Sequence, residues 1–261
     1  MNRPAPDLDG LERALRERGG ELGREVRRFD VIDSTNDEAK RAAKAGAPHG
    51  TVFVAESQTK GRGRQGRAWL SPRGENLLFS VLLRLSCAPA RLPPLSLVCG
   101  LAVRDALASR TRVPPKVKWP NDVLLEGKKV SGILVEATLA GDRVEAVIVG
   151  IGINVHSREF PPELEGRATS VALYAEAPPD RASILADVVA GLDRDVAHVA
   201  ARGLGLVHAR LTSADALVGT RVTLDGERGI ARGIDSDGRL LLARDDGTVV
   251  RVTSGEVLLA P

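Results

Sequence analysis

"GRGRQGR", residues 61–67, follows the strand-like stretch "TVFVAES" at 51–57 and satisfies two phosphate-binding patterns at once. Gly61, Gly63 and Gly66 make G-x-G-x-x-G, and the run from Gly61 to Arg67 nearly makes a Walker A loop. Both patterns need a helix immediately after the glycines, so that phosphate can sit on its N-terminus. Here the chain continues "RAWLSPRGENLLFS", and Pro72 and Gly74 break any helical run. A Walker A loop would also need Lys where Arg67 stands and Ser or Thr where Ala68 stands. The segment therefore belongs to neither a Rossmann unit nor a P-loop. Its glycines still let backbone N–H groups face a ligand. The interleaved Arg62, Arg64 and Arg67 can pair with carboxylate or phosphate. On these residues alone, a solvated basic loop fits equally well.

The rest of the chain sets the frame. It has 261 residues, 43% hydrophobic and 27% charged, room for one large domain and a small one. Aromatic residues are only 3%, so Leu, Val and Ala must fill the core. A net charge of +3 leaves space for an anionic ligand without the strong basicity of a nucleic-acid binder. Cys87 and Cys99 have no metal or disulfide spacing, and His49, His156, His198 and His208 show no ligand pattern. There is no G-x-S-x-G. "MNRPAPDLDG" lacks the apolar core of a signal peptide, and no apolar run approaches the roughly 18 residues of a membrane span. A cytoplasmic protein is expected.

Periodicity predicts a short amphipathic helix over 8–18, a strand over 25–32 and a helix from Ser34–Asn36 to Gly46. Strands follow at 51–57 and 76–85, a helix at 95–110, and strands at 117–119, around Val123, at 129–138 and at 144–155. Residues 180–210 read as helical. From about Leu217 the character changes to short strands, "GTRVTL", "RGIARGI", "GRLLLAR" and "TVVRVTS", separated by "DSDG" and "RDDG" turns.

Two further stretches carry chemistry. "KWPNDVLLEGKK", 118–129, places Lys118, Lys128 and Lys129 about a Trp-Pro-Asn-Asp turn, which alone reads equally as a charged hairpin tip. In "VGIGINV", 149–155, Gly150 and Gly152 weaken a strand unless something approaches its backbone; a bulge is the other reading. Asn154 can both donate to and accept from a heterocycle edge. With no nucleophile or metal pattern, cationic clamps on anions remain. They suit phosphoryl or nucleotidyl transfer, where positioning and charge neutralisation dominate.

Taken in order, "DSTN" (33–36), "AESQTKGRGRQGRAW" (55–69), "KWPNDV" (118–123), "KVSGILVE" (129–136) and "GIGINV" (150–155) resemble one family, the biotin protein ligases. The resemblance covers residues 25–261. It implies an α+β fold: a central mixed, mainly antiparallel sheet flanked by helices, then a small C-terminal SH3-like β-barrel. The implied organisation is an N-terminal helical extension (1–24), a catalytic domain (25–215) and the C-terminal module (216–261). Many family members also carry an N-terminal DNA-binding domain of roughly 60 residues. The short extension here implies the ligase-only type, without DNA as a partner.

The family activity would be ATP- and Mg²⁺-dependent. Biotin's carboxylate attacks the α-phosphate, giving biotinyl-5′-AMP, which then acylates a lysine of a biotin carboxyl carrier protein of acetyl-CoA carboxylase or a related enzyme. By motif position, Ser34, Thr35, Asn36 and Gln58 would meet biotin. Gly132 and Gly150 would line its pocket, and backbone at Gly61, Arg62 and Gly63 would cover it. Arg62 and Arg64 would face the carboxylate and α-phosphate, and Arg67 and Lys118 the phosphates. Lys129 would be the catalytic cation. Trp69, Asn121 and Asn154 would lie on the nucleotide side, and Asp122 would support Mg²⁺ or orient Lys129. The alternatives are a lipoate or octanoate ligase or transferase of the same superfamily, and a non-enzymatic nucleic-acid binder. The latter predicts aromatic stacking platforms that one Tyr, four Phe and two Trp scarcely supply. Family members often pair through sheet edges, so a homodimer using "GDRVEAVIVGI" (141–151) as an edge is a further expectation.

Overall fold

A computed structural model describes residues 8–70 and 72–259. The leader reading of the first seven residues lies outside this range.

The larger region is built on a seven-stranded sheet. Its strands are β1 (Val26–Ile32), β2 (Val52–Gln58), β3 (Asn76–Leu83), β4 (Lys116–Lys118), β5 (Asp122–Leu125), β6 (Lys128–Ala140) and β7 (Arg143–Asn154), in spatial order β1-β2-β3-β7-β6-β5-β4. Only β1 and β2 run parallel, joined by helix α2 (Thr35–Lys44); every other pairing is antiparallel. Helices α1 (Leu11–Arg18), α3 (Leu95–Ala108), α4 (Arg181–Arg202) and α5 (His208–Ala214) complete this region. All eight residues of β3 are buried, as expected of a continuous apolar run with neighbours on both faces.

The two faces of the sheet are written in the alternation of its strands. Val52, Val54, Leu77, Phe79, Val81, Val149, Ile151 and Ile153 belong to the main core with α1, α3 and α4. Gly191 of α4 sits where a Cβ would lie 2.9 Å from Ala102 Cβ of α3, so the two helices approach closely there. On the other face Phe53, Leu82, Ala146 and Ile148 form a small cluster under Ala39, Ala42 and Ala43 of α2. That helix covers only one end. The uncovered remainder of the face is where the candidate site lies.

The C-terminal module is a five-stranded antiparallel sheet, β8 (Arg221–Leu224), β9 (Glu227–Ile234), β10 (Leu240–Ala243), β11 (Val249–Val252) and β12 (Val257–Leu259), in order β11-β10-β9-β8-β12. It is anchored to the larger region: Trp119 Nε1 donates to Gly238 O at 3.0 Å, and Ala216 N donates to Val117 O at 2.9 Å.

Four expectations are corrected. The first helix begins at Leu11, because residues 8–10 form a turn. Residues 180–210 hold two helices, since Gly203 adopts φ +80° and ends α4. The module has a fifth strand, β12, whose few residues carry too little pattern to be read as a strand. Finally, "GDRVEAVIVGI" is no sheet edge. It belongs to β7, which pairs with β3 on one side and β6 on the other; the edges are β1 and β4.

Candidate active site

The pleat makes the floor. On β7 the residues facing away from the main helices are Ile148, Gly150, Gly152 and Asn154, and their β3 partners are Leu82, Ser80, Leu78 and Asn76. On β6, Gly132 pairs with Gly152 and Leu134 with Gly150. Three glycines therefore adjoin on one face, leaving bare backbone where side chains would stand. Above them is a cleft of about 1150 Å³.

One end is polar, and its neutral groups come from Ser34, Thr35, Asn36 and Gln58. Ser34 is the N-cap of α2, its Oγ accepting from Asp37 N at 3.4 Å. Thr35 N and Oγ1 reach Gln58 Oε1 at 2.7 and 3.2 Å, so the end of β2 is tied to the start of α2. This fixes the Gln58 amide with its oxygen toward the helix and its NH₂ group as donor. Asn36 lies over Gly150: a Cβ there would be 2.1 Å from Asn36 Oδ1.

The other end is cationic. Lys129 Nζ lies 2.7 Å from Asp122 Oδ1 and 5.5 Å from the centre of the Trp69 ring. The Lys129 backbone is pinned by bonds to Arg167 O and from Thr169 N. Lys118 is half-buried, and desolvation, with Lys129 and Arg167 nearby, holds its ammonium below the usual lysine range against the pull of Asp122 and Glu256. Such a group gains by meeting an anion. Arg64 Nη1 lies 3.3 Å from Asn121 Oδ1, and Asn121 Nδ2 donates to Ile133 O at 2.8 Å. Asn154 is buried and donates to Thr169 O at 2.9 Å.

The glycine–arginine segment bridges the two ends as a tight hairpin. Gly63 N bonds Arg67 O at 2.7 Å, Trp69 N bonds Gly61 O at 3.0 Å, and Arg67 N bonds Arg64 O at 3.3 Å. The turn residues Gln65 and Gly66 have φ 57° and 73°, so Gly66 is the glycine the backbone requires. The hairpin carries Trp69 across the glycine floor. A Cβ on Gly152 would be 2.4 Å from the indole, and one on Gly132 3.0 Å.

Most of the site residues read from the sequence line this one cleft: Ser34, Thr35, Asn36, Gln58, Arg62, Gly63, Arg64, Arg67, Trp69, Lys118, Asn121, Asp122, Lys129, Gly132, Gly150 and Asn154. Gly61 is buried behind the hairpin, its oxygen holding Trp69. Arg62 extends to α2, Nη2 being 2.5 Å from Asp37 Oδ1 and 3.6 Å from Glu136 Oε2. Arg67 reaches the C-terminal module, 2.5 Å from Glu256 Oε1. Asp122 is engaged by Lys129, and among the described residues no three His, Cys, Asp or Glu converge on a metal position. The sequence reading missed Arg167 and Glu256, which also line the cleft. Neither sits in a patterned motif; the register and the docking of the module bring them in.

Comparison with known proteins gives the same assignment over both parts of the chain. The Biotin/lipoate A/B protein ligase family profile matches residues 28–154, and the Biotin protein ligase C terminal domain profile matches residues 218–259. The biotin--[acetyl-CoA-carboxylase] ligase of Mycobacterium tuberculosis is 37% identical over 270 residues, covering 98% of this chain and 97% of that protein. The bifunctional ligase/repressor BirA of Bacillus subtilis is 35% identical, covering 91% of this chain and 75% of that protein. The Aquifex aeolicus biotin protein ligase in complex with biotin and ATP superimposes with a TM-score of 0.77 at 35% identity, covering 91% of this chain and 99% of that one. A cleft with a polar end and a cationic end, and a ligase relative and a solved ligase structure each matched along nearly their whole length, lead to one conclusion: this chain belongs to the biotin protein ligase family.

Proposed function

We propose that the cleft joins biotin to ATP and passes the acyl group to a lysine of a biotin carboxyl carrier domain. One observation carries the reading: a polar end with neutral donors and acceptors and a cationic end share a single glycine floor. A cyclic urea presents a carbonyl flanked by N–H groups. Gln58 NH₂ and the Ser34 hydroxyl supply donors, and Thr35 Oγ1 an acceptor. The valerate chain would run over Gly150 and Gly132 toward Lys129. A lipoyl dithiolane would leave those buried polar groups unpaired, which is costly.

At the far end the reaction brings together two anions. Lys118, Lys129, Arg64 and Arg67 offset their repulsion. A carboxylate oxygen attacks the α-phosphorus and the bond to the β-phosphate oxygen breaks, releasing pyrophosphate. Lys129, oriented by Asp122, is assigned to the charge developing on the α-phosphate. Mg²⁺ would arrive with ATP as the counter-ion of its phosphates. The hairpin, with Arg62 and Arg64, closes over the mixed anhydride and keeps water away. In the second step the carrier lysine amine attacks the acyl carbon and AMP leaves. Among the described residues no helix is long and apolar enough to cross a membrane.

The test is to incubate the protein with biotin, MgATP and a carrier domain and follow the acceptor mass. Addition of one biotinyl group to one lysine supports the reading. Acylation with lipoate or octanoate instead would keep the fold and overturn the substrate.

A further inference from the structure

Beyond Gly152 the floor of the cleft ends in two asparagines. Asn76 opens β3 and Asn154 closes β7; they are register partners, and both line the cleft. Side chains paired in this way have Cβ atoms about 5 Å apart. Both residues are buried, Asn76 to 2% exposure and Asn154 to 8%.

Each amide is oriented by a backbone group behind it. Asn76 Oδ1 accepts from Val155 N at 3.0 Å and from Ser157 Oγ at 3.2 Å. A backbone N–H only donates, so this atom must be the oxygen, and the NH₂ group points elsewhere. Asn154 is held the opposite way round: its Nδ2 donates to Thr169 O at 2.9 Å, and a carbonyl only accepts. One group of each amide is left over, a donor on Asn76 and an acceptor on Asn154. Among the described residues no protein group takes either one, and neither is sealed from solvent. The fold uses the Asn76 oxygen to hold Val155 where β7 ends; it makes no use of the NH₂ group. Trp69 lies over Gly152, the next residue on this face of β7, so a flat ring packed against the indole would turn an edge to the two asparagines. Asn121, the other asparagine expected on the nucleotide side, has both ends of its amide taken, by Arg64 and by Ile133 O.

We propose that Asn76 is a specificity-determining residue for the nucleotide: its NH₂ group donates to a ring nitrogen of adenine while the Asn154 oxygen beside it accepts from the 6-amino group. This rests on the reading of the cationic end as the ATP site. Adenine offers that order on either of two edges, with the amino group next to N1 or next to N7. Guanine fails on both. Its O6 would face the Asn154 oxygen, and on the first edge its N1–H would also face the Asn76 NH₂ group. Neither amide can flip to suit it, because each would lose the backbone group that holds it.

The experiment measures kcat and KM for pyrophosphate release at saturating biotin with ATP, 1-deaza-ATP and 7-deaza-ATP, each analogue lacking one of the two ring nitrogens. The wild type should use one analogue about tenfold or more less efficiently than ATP, through KM, because a buried donor is left unpaired. Asn76→Asp keeps an oxygen for Val155 but replaces the donor by an acceptor. It should raise KM for ATP by about tenfold or more and bring the ratio between ATP and that analogue close to one. Asn76→Ala should close the ratio too, and serves if Asn76→Asp does not fold. Equal losses with ATP and both analogues in both variants would overturn the inference, leaving Asn76 a residue that only holds the end of β7. So would a wild type that uses all three nucleotides alike. A wild type that releases no pyrophosphate from ATP and biotin would instead sink the ATP reading on which the inference stands.

Discussion

Gly152→Ala tests how the site divides between its ligands. Its φ lies outside the left-handed region, so alanine strains no backbone and the effect is purely steric. The new Cβ would stand 2.4, 2.6 and 2.8 Å from three indole atoms of Trp69, where ordinary contact begins near 3.4 Å. The ring must therefore lift by about 1 Å, into the volume assigned to the nucleotide. Overpacking of this kind costs about 1–3 kcal/mol, or about 5- to 150-fold in affinity. We expect ATP affinity in the presence of biotin to fall by that factor, with biotin affinity alone changed less than about threefold. Gly150→Ala should reverse the pattern, since its Cβ would strike Asn36 Oδ1 at the other end. Calorimetry with each ligand reads both. The decisive control is a double-mutant cycle: in a Trp69→Ala background the clash is gone, so Gly152→Ala should cost almost nothing. The same loss with or without the indole would refute the reasoning, because the cost would then have another origin.

Lys129→Ala should reduce pyrophosphate release by about 100- to 1000-fold while biotin still binds, the size of loss seen when one transition-state charge partner is removed; equal loss of both would make Lys129 structural. Arg64→Ala should speed escape of the adenylate by about tenfold or more, read by chasing labelled biotinyl-AMP from the protein; an unchanged release rate would remove its shielding role. The acid limb of stability should depend on Asp187 and Asp195. Burial would raise both carboxyls, but hydrogen bonds from Arg18 and Arg110 to the first, and from Arg194 and Arg210 to the second, hold them below the ordinary aspartate value of 3.8. Between the folded values and 3.8 the unfolded chain binds more protons, so their contribution is full above 3.8 and is lost as the pH falls through the folded values. Urea unfolding of Asp187→Asn should accordingly show a smaller loss between neutral and acid pH than the wild type; an identical loss would contradict the assignment.

Much of this was legible in the chain because its signals are local. The loop at 61–67 stands out by exclusion, since no helix can follow it, although its hairpin form is not written there, and "KWPND" and "GIGIN" place cations and glycines in order. What could not be read is set by register. Gly132 and Gly152 adjoin only because β6 and β7 pair as they do. Ser80 looks like noise in an apolar strand until Asn36 and Thr35 are seen above it. Arg67 could be assigned to phosphate from its motif, but its Glu256 partner lies 189 residues away in another module. The edge-strand reading of β7 failed for the same reason: alternation marks a strand, while its neighbours are decided by topology.

The central claim is that one cleft holds biotin and ATP and activates the first with the second. Calorimetric titration of the intact protein with biotin, then with MgATP, while pyrophosphate is measured, tests it most directly. The account predicts binding of biotin alone, followed by stoichiometric pyrophosphate release and a much tighter complex. Biotin binding with no pyrophosphate on adding ATP, or heat only from lipoate or octanoate, would contradict it.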